Sequence, residues 1–348
     1  KTIHRSLGLA MNATGAIRAA LVGKGVADQK DVIIGWATVV LCCLQLLLGT
    51  LTLWLLKKVN IFHNSFGFLC AAKMTFDMLS SAVHVGYSGP ITISQSTAVS
   101  PYFGIAAGFF GYFLAAVACS LHVLLSLNRF TAVYFPLSYQ IVFSLRNCRR
   151  VLFVAIIACI ILVIPYYAVP CNILAYSARY IGYVVLDCDD GVRQRPFRVG
   201  TFVHYACLIL FCGGAIFVDA LTLIKILKLK RIKSNEKNSA FNRNVRFFAQ
   251  SACQNIPMFS EVLMMAFGDN ELTPDKAVFR ILSFMLTRLT DVICSTTLVL
   301  FNPEARKFVM KSLRERHLVS FTESSSNAQQ PATSVSQRRT TNLTTRAH

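Results

Sequence analysis

The chain has 348 residues, of which 54% are hydrophobic and only 15% charged, with a formal net charge of +19. Soluble domains carry about 25% charged residues, so this composition excludes an ordinary water-soluble globule. The positive charge would suit nucleic acid, but it gathers in alternate loops between apolar stretches, and no nucleic-acid partner is expected.

A helix needs ~20 mostly apolar residues to cross the ~30 Å hydrocarbon core. Seven such stretches are predicted, at about 32–56, 62–86, 102–128, 150–170, 199–227, 246–268 and 277–301. The expected fold is therefore an all-α membrane protein, a seven-transmembrane helix bundle spanning 32–301. Lys and Arg number two, four and eight in the segments 57–64, 129–150 and 225–246, against none, four and two in 87–101, 171–198 and 269–280. The positive-inside rule sets the first group in the cytoplasm, together with the carboxyl tail, and the amino terminus outside. The basic face also suits anionic inner-leaflet lipid, so membrane lipid is an expected partner.

Residues 1–31 form the expected outer segment. Asn12-Ala13-Thr14 is a glycosylation sequon there, with Asn12 as the acceptor. The chain opens on Lys1 rather than Met and is read as a piece of a longer product. The first span is expected to act as its own signal anchor.

Span two carries Lys73 and Asp77 at i,i+4, and span seven carries Arg288 and Asp291 at i,i+3, so each pair can meet on one helix face. Charged groups in lipid face the bundle interior. These four residues form a candidate intramembrane polar centre, read either as two neutralised pairs or as a switch that repacks. Asp219, near the inner end of span five, is expected to reach toward water.

Aromatic rings crowd the outer half of span three. With Tyr205 at the top of span five and Glu261 in span six, the candidate ligand-binding residues are Tyr102, Phe109, Tyr112, Phe113, Tyr205 and Glu261. A ring-lined cavity between helix tops suits a small, mostly apolar molecule. Each ring taken alone also fits an interfacial belt or simple packing. Glu261 has Arg280 or a ligand cation as possible partners. Gly104 and Gly108 make a small-xxx-small pattern, expected to serve close packing inside the bundle.

Most of the twelve Cys lie inside spans. Cys171 and Cys188 share an outer loop and are the candidate disulfide, with two free thiols as the alternative. There is no metal-spaced Cys/His cluster, no P-loop, no G-x-S-x-G and no H-E-x-x-H. The loops are too short for a catalytic domain, so no enzyme activity, metal or cofactor is expected.

Arg129 stands beside Asn128 at the inner end of span three. It can pair with polar groups on neighbouring helices at rest and turn to a partner when those helices part. After span seven, Asn302 suits an N-cap, Pro303 the first turn, and Glu304 the helix dipole. A short amphipathic cytoplasmic helix is expected over 302–317, lying on the inner leaflet. A disordered Ser/Thr-rich tail is expected over 318–348.

Three segments carry a resemblance. They are Asn64-Ser65-Phe66-Gly67, then Asn128-Arg129-Phe130 through Phe135-Pro136-Leu137-x-Tyr139 and Phe143-Ser144, and Phe301-Asn302-Pro303-Glu304-Ala305-Arg306. The chain resembles the nematode serpentine chemoreceptors, most closely serpentine receptor class X, over about 30–317. The resemblance implies a rhodopsin-like G-protein-coupled receptor at the plasma membrane of a sensory neuron, at its cilium. It would bind a small-molecule ligand and a heterotrimeric G protein, with Asn128, Arg129, Pro136 and Leu137 as candidate coupling residues. Three features depart from the wider rhodopsin-like pattern: Asn128 replaces an acidic residue, Asn255 replaces a Trp, and helix seven lacks Asn-Pro-x-x-Tyr. Gly104 also stands where many such receptors place a Cys. The rival readings are a ligand-gated channel subunit of seven helices, a small transporter, and a peptide-binding receptor. Ligand identity, G-protein class, cell type and dimerisation stay open.

Overall fold

Backbone N–H and C=O groups in lipid must be paired within the segment, so a chain of apolar stretches crosses as helices. The computed structural model describes residues 20–168, 173–186, 199–232, 239–268, 274–302 and 305–311. Among them are seven long helices: α1 (Gln29–Lys58), α2 (Ser65–Val83), α3 (Pro101–Tyr134), α4 (Leu145–Val163), α5 (Val199–Ile232), α6 (Ser239–Gly268) and α7 (Pro274–Phe301). Each overlaps one of the expected spans, α4 ending seven residues before its expected end, and α3 and α5 run past their apolar stretches. Local signals fix several starts. Asn64 accepts from Gly67 N at 2.9 Å to open α2, and Ser144 accepts from Asn147 N at 3.3 Å to open α4.

α2 does not stop at Val83. A widened turn over His84–Ser88 leads into Gly89–Ser94, and the rise ends at Gln95 in the left-handed conformation (φ 46°). Six described segments are long and apolar enough to cross a membrane: Gln29–Lys58, Ser65–Ser94, Pro101–Tyr134, Leu145–Tyr167, Ala206–Lys228 and Val278–Phe301. α6 covers the remaining expected span and carries Gln250, Ser251, Gln254, Asn255 and Glu261, all buried. It packs between α5 and α7.

α3 lies against α2, α4 and α5, and α7 packs on α1, which also contacts α2 and Gly89–Ser94. Large apolar side chains such as Trp36, Leu47, Phe153, Ile161 and Phe217 are exposed, while Gln45, Lys73, Asp77, His84, His122 and Asn128 are buried. This inversion of a soluble protein's pattern fits lipid outside and hydrogen bonding inside.

The loop after α4 holds a feature not expected from the sequence. Strands β1 (Ile173–Ser177) and β2 (Gly182–Leu186) form an antiparallel hairpin, with Ile173 opposite Leu186 and Tyr176 opposite Tyr183. Residues 174–178 are all buried. The hairpin seats on the glycine face of α3. A Cβ on Gly104 would lie 2.8 Å from Tyr176 O, and one on Gly108 2.6 Å from Leu174 O. The small-xxx-small pattern therefore serves close packing within the bundle, with a hairpin rather than another helix as its neighbour. Ala20 and Leu21 pack with Ala175 and Val184, and Ser177 Oγ donates to Ala20 O at 2.5 Å. Gln95 Nε2 donates to Ala178 O at 3.0 Å, while its Oε1 accepts from Lys24 N at 3.1 Å.

Asn12, Cys171, Cys188, Pro303 and Glu304 lie outside the described residues, as does the chain from 312 onward. Asn302 Oδ1 accepts from Ala305 N at 3.2 Å, the bond expected of an N-cap. The chain from Arg306 forms a separate unit, of which residues 306–311 are helical.

Candidate functional site

At the end of the bundle expected to face the cytoplasm, three helices meet through polar side chains. α3 contributes His122, Ser126 and Arg129; α5 contributes Asp219; α6 contributes Ser251 and Asn255. Arg129 Nη2 lies 3.5 Å from Asp219 Oδ1 and donates to Ser251 Oγ at 2.5 Å and to Ser126 Oγ at 3.3 Å. Ser251 donates onward to Asp219, and Asn255 Nδ2 donates to Asp219 Oδ2 at 2.6 Å. Asn255 Oδ1 sits 2.7 Å from His122 Nδ1. The Arg129 and Asp219 side chains are only 13% and 7% exposed, so water screens the pair little. Asp219 thus turns into the bundle, accepting from Ser251 and Asn255 and pairing with Arg129, which corrects the expectation that it reaches toward water. Asn255, noted only as a departure, is the hub of this network.

Asn128, next along the helix, faces the other way. Its Oδ1 accepts from Tyr139 OH at 3.4 Å, and that phenol lies 3.1 Å from Ser65 Oγ. Pro136 opens a short helix (Pro136–Val142), on which Leu137 is 93% exposed. Tyr134 OH donates to Leu221 O at 3.0 Å, and Lys225 Nζ stands 5.4 Å above the Tyr134 ring.

Midway through the bundle both expected charge pairs form. Lys73 Nζ meets Asp77 Oδ2 at 2.5 Å, and Arg288 Nη1 meets Asp291 Oδ2 at 3.4 Å. Arg288 Nη1 also donates to Ser80 Oγ at 3.0 Å, joining α7 to α2. Ser295 Oγ, 2.7 Å from Gln45 Oε1, joins α7 to α1.

At the outer end the expected rings divide. Tyr112 is buried, edge-on to Tyr166 (5.8 Å) and Tyr183 (5.9 Å). Phe109 and Phe113 are half-buried and stacked on each other at 6.2 Å, with Phe109 edge-on to Tyr167 at 5.3 Å. Tyr102 is 46% exposed. Phe109 and Phe113 thus pack toward the turn after α4, and Tyr102 faces outward, away from Tyr112. The Tyr205 side chain lies outside the described residues. Glu261 is buried and faces Thr287, and Arg280 Nε donates to Tyr180 O at 3.1 Å.

The rings that gather with Tyr112 were not among the expected ligand residues: two come from the unexpected hairpin, and the others from α7 and the widened turn after α2. Tyr176 and Tyr183, opposite each other on the hairpin, pack at 5.8 Å. Phe284 lies 5.7 Å from Tyr176, and His84 lies 5.4 Å from Phe284. Tyr183 OH is 3.2 Å from His84 Nε2, and Tyr176 OH is 2.7 Å from Thr92 Oγ1. Burial pushes both hairpin phenols above the ordinary tyrosine value, keeping them neutral donors. Two short β-prone runs flank Ala178-Arg179-Tyr180-Ile181, which offers no Gly or Asn to mark a turn. Ile181 takes the left-handed conformation (φ 51°) that such a residue would normally hold, so the hairpin left no turn signature.

The family described as serpentine type 7TM GPCR chemoreceptor Srx matches residues 41–302 of the chain. No curated protein matches it.

Proposed function

Because the chain belongs to the serpentine 7TM GPCR chemoreceptor family Srx, we propose that it binds a small molecule beneath the outer hairpin and activates a heterotrimeric G protein at its inner face. It is a multi-pass membrane protein, and the charge pattern supports a plasma-membrane orientation with the amino terminus outside. Tyr112 and Glu261 are the ligand residues retained from the sequence reading. Tyr183, His84 and Phe284 join them.

The observation that carries the reading is the Arg129–Asp219–Ser251 node, because it ties α3, α5 and α6 together at the inner end. A buried ion pair with its hydrogen bonds filled holds one arrangement of three helices. A ligand shifts such an equilibrium only by binding one arrangement better than the other. Contacts from the hairpin and α7 to a ligand would favour the arrangement in which α6 moves away from α3. Arg129 would then leave Asp219 and face the partner, beside exposed Pro136 and Leu137 and the polar Asn128–Tyr139 contact. The basic 225–246 segment would add charge to that docking face.

The test is a calcium and cyclic AMP assay in cells expressing the chain, across volatile and water-soluble small molecules. A response present in the parent and lost in Arg129→Ala at equal surface expression is the expected result. A ligand-gated current that persists without G protein would replace the receptor reading with the channel.

A further inference from the structure

Four buried polar atoms without a hydrogen-bond partner among the described residues lie on α2 and the widened turn that follows it, and a fifth lies on α7. They are Asp77 Oδ1, Ser81 Oγ, His84 Nδ1 and Ser88 Oγ, with Arg288 Nε from α7. Residues 77, 81, 84 and 88 follow the spacing of a single helix face. They cover ~16 Å of helix rise from mid-membrane to just below the hairpin. Buried polar groups in folded proteins are nearly always satisfied, so a row of unsatisfied ones needs an explanation. The row passes through the widened turn at His84–Ser88, and such turns are frequent at functional sites. Ser81 and Arg288 both reach the Cys42 thiol, which places them side by side. A thiol is a weak partner for either.

The surroundings select the chemistry. Lys73 is paired with Asp77 and Arg288 with Asp291, and Glu261 lies on the facing helix. Three acids face two bases there, so an added carboxylate would have no free counter-ion, and an added ammonium could not accept from Arg288 Nε. A neutral molecule avoids both costs. Arg288 Nε can only donate, and the two serine hydroxyls can donate, so the complementary group is an oxygen acceptor. Above them Phe284, Tyr176 and Tyr87 provide an apolar wall.

We infer that this seam is the polar subsite of the receptor's ligand cavity and takes a small neutral carbonyl compound. Its oxygen accepts from Arg288 Nε and Ser81 Oγ, and its hydrocarbon chain runs outward past Ser88 against Phe284 and Tyr176. The inference rests on the small-molecule receptor reading above and names the ligand class for it.

The experiment measures thermal unfolding of the purified full-length protein in detergent. The probes are straight-chain methyl ketones, the matching alkanes and the matching carboxylates. Ketones are expected to raise the midpoint with dose, and the alkanes and carboxylates are not. Ser81→Ala removes a hydroxyl without an oxygen or nitrogen partner, so the unliganded protein keeps its midpoint while apparent ketone affinity falls roughly three- to tenfold. Ser88→Val, which narrows the path, is expected to abolish the shift. No ketone shift, an equal shift from alkanes, or a ketone shift unchanged in both variants overturns the inference. The signalling assay separates the two readings. A ketone response lost in Arg129→Ala but untouched by Ser81→Ala and Ser88→Val keeps the receptor and removes the seam. A ketone shift sensitive to both serine variants, in a protein that never signals, keeps the seam and removes the receptor.

Discussion

Asn255 on α6 holds His122 on α3, with Oδ1 and Nδ1 2.7 Å apart, while its amide nitrogen donates to Asp219 on α5. The two bonds fix each other. Since Nδ2 is committed to a carboxylate, Oδ1 is the atom left for the ring, and His122 Nδ1 must carry the hydrogen. One side chain thus sets the register of three helices.

Replacing it tests that role. Asn255→Leu leaves His122 and Asp219 each short of a partner and should destabilise the protein by about 1–3 kcal/mol. Because the lost bonds hold α6 to α3, basal second-messenger output should rise as the thermal midpoint falls. A variant with a lower midpoint and unchanged basal output would show the hub to be structural only.

Asp219 and Arg129 separate into different phenotypes. Asp219→Ala strands a buried cation, a change that costs about 3–5 kcal/mol, so surface expression should drop sharply. Asp219→Asn keeps the shape and the acceptor oxygen while removing the charge, so expression should largely recover and basal signalling should exceed the parent's. Arg129→Ala should remove ligand-driven output. Cell-surface labelling beside the cyclic AMP assay distinguishes these outcomes.

The glycine face of α3 predicts a contrast between two similar substitutions. An added Cβ at Gly108 meets the hairpin backbone at 2.6 Å, and backbone cannot swing aside as a side chain can. Gly108→Ala should cost about 1–3 kcal/mol and displace the hairpin. At Gly214 on α5 nothing lies within 4 Å of the added atom. There Gly214→Ala should be neutral or stabilise by about 0.5–1 kcal/mol, as expected for a helix interior. Detergent melting curves of the two proteins compare them directly.

Cys171 and Cys188 stand two residues beyond Ile173 and Leu186, which face each other across the strands. A hairpin continued in the same register would set the two cysteines opposite one another, at the Cα separation of about 4.5–5.5 Å that a disulfide accepts. Peptide mapping without reduction should recover the two as one linked fragment. Recovery of both as separate alkylated thiols would remove the bridge.

The helices were readable because hydropathy and length suffice for a lipid-spanning segment. The pairs Lys73–Asp77 and Arg288–Asp291 were readable because each closes within one helix, at spacings of four and three. The Arg129–Asp219 pair was not, since its partners lie ninety residues apart and neither has a local signal. The outer site was read least well. Spacings of seven and four put Tyr102, Phe109 and Phe113 on one face of a helix but cannot say which face meets the interior, and Tyr176 and Tyr183 arrive on a hairpin whose turn has no Gly or Asn.

The buried polar residues of α6 have a consequence for how the chain reaches the bilayer. Gln250, Ser251, Gln254, Asn255 and Glu261 make a lone α6 a poor candidate for partition from the translocon into hydrocarbon, where each polar side chain opposes insertion. Gln254 Nε2 finds Thr297 Oγ1 at 3.0 Å and Cys294 O at 3.2 Å on α7, and Asn255 finds Asp219 on α5. Integration of the sixth helix is therefore coupled to its neighbours, and a nascent chain interrupted before α7 would present the quality-control machinery with a helix whose Gln254 amide lacks both of its partners.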